Sequence, residues 1–207
     1  MKLKYIIDKE YDKRYASKGN PVDSQHFEEI YEKCHQYLEY TQDQYQKTWD
    51  EIGQEFSNYI EKETGYKWFY PTYYCVVSVV NMGISNWGRE PKIIRGWKEN
   101  PYSQRRITAH ELVLSHYFEI YKRNYSDYKL SDRQVWALAE IAAFALTSLT
   151  ETVKTFWPWD FSGYYTNHNY PQIVELQNNL KDEFINRKSF DEYIKRGIEL
   201  VKLYDQI

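Results

Sequence analysis

Cysteine is nearly absent from these 207 residues. Cys34 and Cys75 stand far apart with no C-x-x-C spacing, which leaves a disulfide framework and thiolate zinc ligation both unsupported, and the two read as small core residues. Glycine (8) and proline (6) are too scarce to mark a linker between domains, and no internal repeat or low-complexity stretch is present. No segment reaches the ~20 apolar residues that span a bilayer, and MKLKYIIDKEYDKRY is too charged around too short an apolar core for a signal peptide. The expectation is a soluble cytoplasmic protein with no membrane partner. Charge of one sign is also missing: 27 basic against 30 acidic side chains are interspersed, so nucleic acid is not an expected partner. No G-x-S-x-G elbow, phosphate loop or G-x-G-x-x-G occurs, and no glycosidase-type carboxylate pair stands out.

What the chain has in abundance is aromatic residues, 22 Tyr, 9 Phe and 7 Trp, within a hydrophobic share of 42% that is enough to fill one core. Tyrosine faces a core with its ring and water with its hydroxyl, so its spread along the chain reads first as a packing style. The sharper reading is a protein- or peptide-binding surface in YPTYY and FWPWDFSGYY, carried by Tyr70, Tyr73, Trp157, Trp159 and Tyr164.

The expected organisation is a single domain over 1–207. A strand, KLKYII, and a polar connection occupy 1–22. A long backing helix fills 23–64, capped by Asp23 or Ser24, with Phe27, Tyr31, Cys34, Leu38, Tyr45, Trp49, Ile52, Phe56 and Tyr59 at helical spacing, a bend at Gly53 and a stop at Gly65. Its second row of Ile30, Tyr37 and Tyr40 suits packing on a domain, while the stripe itself also admits a coiled-coil assembly role. Residues 66–98 read as a small mixed or antiparallel sheet, with strands Tyr73 to Val80 and Lys92 to Trp97.

Residues 100–152 hold two helices, one opened by Asn100-Pro101 and running to about Asn124, the other opened by the capping box Ser131-x-x-Gln134 and running to about Thr152. A loop and C-terminal amphipathic helices, started by Pro171 and divided near Lys188, fill 153–207. The class is α+β.

Chemistry concentrates on the two helices of 100–152. At ~100° per residue, Ile107, Leu114, Tyr117 and Tyr121 fall within ~60° of His110, which therefore sits mid-face among apolar residues, with His116 and Glu111 at opposite edges. The next helix, VWALAEIAAFALTSL, carries one charge, Glu140, and a segment apolar all round is buried all round. A carboxylate there needs a proton, a cation or several donors. Arg105, Arg106, Arg95 or a direct bond to His110 can each fill that role. His26 and His35 read as surface residues of the first long helix, and His110 equally as a neutral core histidine with Glu111 a surface charge.

HELVLSHYF, AEIAAFALTSL and SGYYTNHNYPQIVELQNNL resemble the corresponding pieces of a short bacterial family of zincin-like, gluzincin-type metallopeptidases, and with the preceding long helix and small sheet the resemblance covers about residues 25 to 204. The resemblance implies a zincin-like fold in which His110 and Glu140 hold Zn2+, His168 supplies a third ligand, and Glu111 is the base that deprotonates metal-bound water. The H-E-x-x-H motif points histidines at i and i+4 toward one ion, and here i+4 is Leu114. His116, at i+6, projects from another side of the helix. The incomplete site turns the expectation toward a non-catalytic zincin-like scaffold that acts by binding a protein, as an inhibitor or regulator. The alternative is a zinc-dependent peptidase-type hydrolase using His110, Glu111 and Glu140.

Overall fold

The computed structural model describes residues 1–19, 23–84, 90–157, 170–204 and 207. Among them the chain is α+β and mostly helical, with one four-stranded mixed sheet and seven α-helices. Contacts divide it into two compact units, Met1–Glu55 with Tyr70–Leu112, and Phe56–Phe69 with Val113–Ile207.

The first unit is built on the sheet, formed by β1 (Lys2–Ile6), β2 (Thr72–Ser78), β3 (Gly83–Ile84) and β4 (Lys92–Gly96) in the order β1-β2-β4-β3. β1, β2 and β4 run parallel, and β3 pairs antiparallel with β4. The register aligns Tyr5 with Cys75, Cys75 with Ile93, and Val77 with Arg95. Because strand side chains alternate, these residues share one face, while Ile6, Val76 and Ile94 share the other.

That other face is covered by a helix where a polar connection was expected: α1 (Lys9–Gly19). The Asp8 carboxylate accepts the Tyr11 N–H, capping the first turn, and Tyr11 and Tyr15 stack one turn apart. Tyr11 packs on Val76 and Ile94, with Ile6, Tyr15 and Ile84 around them. Asp12, fully buried, takes the Ser78 hydroxyl, the Val79 N–H at 2.9 Å and the Asn81 amide at 3.2 Å, which ties α1 to the end of β2.

α2 (Ser24–Asp50) lies on the opposite face, capped by Asp23 as expected. The Tyr45 ring meets Tyr5 edge-on, and its hydroxyl donates to the Gly96 carbonyl. Of the expected second row, Ile30 is half-buried, while Tyr37 and Tyr40 are 60% and 66% exposed and Tyr37 meets the Trp97 ring at 5.9 Å. The bend at Gly53 is a break between α2 and α3 (Gly53–Thr64), and Gly65, at φ 75°, ends α3. α4 (Pro101–Asn124) opens as the sequence suggests, with the Asn100 side chain accepting the Tyr102 and Ser103 N–H groups. Its first half belongs to this unit, where the Tyr5 hydroxyl sits 3.1 Å from Gln104 Oε1 and 3.0 Å from Thr108 Oγ1.

The second unit is helical. α5 (Asp132–Ser148) begins at the complete Ser131–Gln134 capping box and stops four residues short of the expected end. Tyr59 donates its hydroxyl to the Leu146 carbonyl at 2.6 Å, and the Trp157 indole N–H reaches the Thr147 carbonyl at 3.0 Å. Terminal helix carbonyls need such partners, and these come from distant side chains. α6 (Pro171–Asn186) and α7 (Phe190–Val201) pack on α5, where Gly197 admits Leu138. No helix among the described residues is long and apolar enough to cross a membrane.

Candidate functional site

α4 is buried on every side from Thr108 to Tyr121, more thoroughly than the helical wheel implies. His110 and Glu111 are 8% and 9% exposed, so Glu111 is not a surface charge at a helix edge. Leu114, at the position where the metallopeptidase motif needs its second histidine, is 2% exposed and packed as core.

The surroundings of Glu111 come from β3 and β4. Arg95, 3% exposed, projects from β4 on the face that also carries Cys75, and its Nη2 bonds both carboxylate oxygens of Glu99 in the turn that follows. The same guanidinium passes over Gly83 on β3. A methyl group built on Gly83 would collide with Arg95 Nη1 and lie 3.0 Å from Glu111 Oε1. The glycine leaves this space open, and the guanidinium and the Glu111 carboxylate converge on it. Arg95 thus bonds the half-buried Glu99 carboxylate and neighbours the buried one of Glu111.

Tyr45 and Cys75 line the same region and neither is chemically primed. Burial pushes the Tyr45 phenol well above its usual range, and its hydroxyl accepts the Glu99 N–H at 3.1 Å. Burial likewise pushes the Cys75 thiol far up, and the nearby Glu111 and Glu99 carboxylates offset the pull of Arg95, so the thiol stays protonated. Cys75 is a core residue, as expected from its isolation in sequence.

The remaining candidates fall elsewhere. Glu140, on α5 of the second unit, is buried as its apolar helix implies. In the first unit Arg105 bonds Glu51 at 2.9 Å and the Thr48 carbonyl. His168, Trp159 and Tyr164 lie outside the described residues. Among the described residues, no group of three or more His, Cys, Asp or Glu side chains is placed to hold a metal ion.

His116 is 1% exposed and stacked in the second unit between Trp68 and Phe69, with ring centroids 4.6 and 5.3 Å away. Neither ring nitrogen has a hydrogen-bond partner of good geometry. Burial pushes its pKa down to about 3, against the opposing pull of the Glu61 carboxylate and the Tyr66 backbone. It is a neutral core residue. His26 and His35 are exposed on α2, as expected.

The proposed aromatic surface needs correction. Tyr73 and Trp157 are each 1% exposed, the first on the packed face of β2 beside the half-buried Tyr70, the second bonded to Thr147 and stacked on Phe56 and Phe156. Large rings next to prolines and glycines look like loop decoration in sequence, but here they fill the core. The sequence reading also missed Asp12, Arg95 with Glu99, and Asp191, whose carboxylate accepts the hydroxyls of Tyr66 and Tyr125. For Asp12 a signal existed in the i, i+4 spacing of Tyr11 and Tyr15; the other pairings join residues with no sequence relation. No family model, curated protein or solved structure matches the chain.

Proposed function

We propose that the chain is a non-catalytic scaffold of zincin-like type that acts in the cytoplasm by binding a protein or peptide, as an inhibitor or regulator. The observation that carries this reading is the convergence of Arg95 and Glu111 on Gly83. A general base for metal-bound water needs a carboxylate free to take a proton beside a dication. A guanidinium at that spot competes for the same oxygens and repels a second cation. Leu114, buried where a ligand belongs, adds to it.

The competing reading, a zinc-dependent hydrolase, draws on the buried His110, Glu111 and Glu140, because buried ionisable groups cluster at functional sites. Protein prepared without chelator and analysed for metal separates the two. The scaffold reading expects well under one zinc per chain and no peptide hydrolysis lost in Glu111→Gln. One zinc per chain that disappears in His110→Ala, together with a hydrolytic activity abolished by Glu111→Gln, would replace it with the hydrolase.

A further inference from the structure

β1 forms one edge of the sheet among the described residues, and edges are templates for pairing. Lys2 turns its N–H toward the β2 side, donating to the Pro71 carbonyl. By strand alternation, the main-chain groups of Leu3 and Tyr5 turn outward. They are not left to solvent. The Gln46 side chain, from α2, accepts the Tyr5 N–H at 2.9 Å and donates to the Leu3 carbonyl at 3.2 Å. One residue of a parallel neighbouring strand makes this same pair of bonds, so a carboxamide stands where a peptide group would stand.

Beside this edge runs a groove of about 740 Å³, bounded by β1 and by Gln42, Gln46, Trp49, Asp50, Gly53 and Gln54. Its β1 wall offers main-chain groups, its α2 wall offers polar side chains with Asp50 accepting the Gln46 amide at 2.7 Å, and the β1 side chains alternate. Leu3 and Tyr5 are buried toward the helices, whereas Lys2 and Lys4 are exposed together on the opposite face. A strand laid along β1 would set every second side chain beside these two lysines and the intervening ones toward Trp49.

We propose that the β1 edge is a peptide-binding site for an extended segment with acidic residues at alternate positions and apolar residues between them, and that Gln46 is the placeholder the segment displaces. This mode of recognition takes affinity from main-chain bonds and specificity from alternate side chains. Here the specificity lies in the charge of Lys2 and Lys4. The proposal rests on the reading of the chain as a binding module and names where and what it binds.

A capped heptapeptide alternating valine and glutamate, titrated into isotopically labelled protein and followed by NMR, tests it. Saturable shifts confined to Met1–Ile6 and Gln42–Gln54 are expected, with slowed hydrogen exchange at the Leu3 and Tyr5 amides. Gln46→Ala and Gln46→Leu, each checked for folding by circular dichroism, free the edge and are expected to tighten binding roughly three- to tenfold, the scale of one or two net hydrogen bonds. Lys2→Glu combined with Lys4→Glu is expected to weaken binding more than tenfold, and a valine–lysine peptide not to bind. Weaker binding in both Gln46 variants, shifts elsewhere on the chain, or equal binding of the lysine peptide would overturn the site. A Gln46→Ala protein that dimerises by itself in light scattering would assign the edge to a second copy and overturn the peptide. Absence of binding without cleavage removes the edge site alone. Cleavage of the peptide that Glu111→Gln abolishes removes the non-catalytic reading beneath it.

Discussion

Arg95 is the side chain on which the first unit depends most. It is nearly fully buried, holds the half-buried Glu99 and lies beside the buried Glu111, so its removal takes a cation away from two carboxylates. Breaking a buried pair from one side typically costs about 3–5 kcal/mol, and Arg95→Ala is expected to lose that much in urea unfolding. Arg95→Lys should recover only part of it, since a single ammonium cannot hold Glu99 with one nitrogen while a second lies toward Glu111.

His116 makes the opposite kind of demand. Its folded pKa of about 3 lies below the ordinary 6.5, so between these values the unfolded chain binds a proton that the folded chain refuses. Stability is therefore complete above pH 6.5 and falls as pH drops through that window, by about 1.4 kcal/mol per unit for this one group. His116→Phe, a ring that suits the stack of Trp68 and Phe69, is expected to flatten this dependence in melts between pH 4 and pH 7 while preserving or raising stability at neutral pH. A slope unchanged by the substitution would assign the acid lability to other groups.

The same residues show what a sequence discloses about a site. Burial of His110 and Glu140 was readable from their apolar neighbours on their own helices. The pairing of Arg95 with Glu99 and its approach to Glu111 were not, because they depend on which strand lies under which helix.

At the scale of elements, the boundaries set by local chemistry were the readable ones. Asp23, Asn100 and Ser131 each cap the helix they precede, since a cap needs only a side-chain oxygen within a few residues of free N–H groups. Gly65 stops α3 at a left-handed φ of 75°, with nothing within 4 Å of where a Cβ would stand. Gly65→Ala therefore meets backbone strain and no clash, and is expected to cost roughly 1–2 kcal/mol in thermal or urea unfolding. A neutral result would mean that the turn relaxes to another conformation.

The readings that failed were those set by distant partners. α5 ends early because Tyr59 and Trp157 take its last carbonyls. α1 was missed because its packing residues are two tyrosines and a buried aspartate among charged neighbours, a weak apolar pattern that gains its meaning from the sheet face it covers. The second row on α2 is the converse, a pattern that suggested burial and delivers only part of it: Ile30 is half-buried and Tyr37 meets Trp97, yet Tyr37 and Tyr40 stay mostly exposed.

For the whole molecule, the zinc question reduces to linkage. A folded chain that binds an ion gains about 4 kcal/mol when the ion is present at a thousandfold excess over its dissociation constant. For a chain of this length each kcal/mol shifts the melting midpoint by about 2–4 °C, so a functional zinc site predicts a rise of about 8–16 °C on metal addition. The scaffold reading expects no rise beyond that given by magnesium, and differential scanning calorimetry with each metal measures it.

Composition and periodicity were enough to establish the class of this protein: α+β, balanced in charge, most helices where expected, and a histidine and a glutamate, His110 and Glu140, set among apolar residues. Each of these follows from interactions within a few turns of chain, where spacing alone decides which groups meet. Tertiary structure decided the rest: the helix on the second face of the sheet, the arginine beside Glu111, the glutamine that fills the edge of β1, and the burial of Tyr73 and Trp157. These depend on contacts between residues far apart in the chain, and the free energy of such contacts is set by burial and geometry that no local pattern encodes.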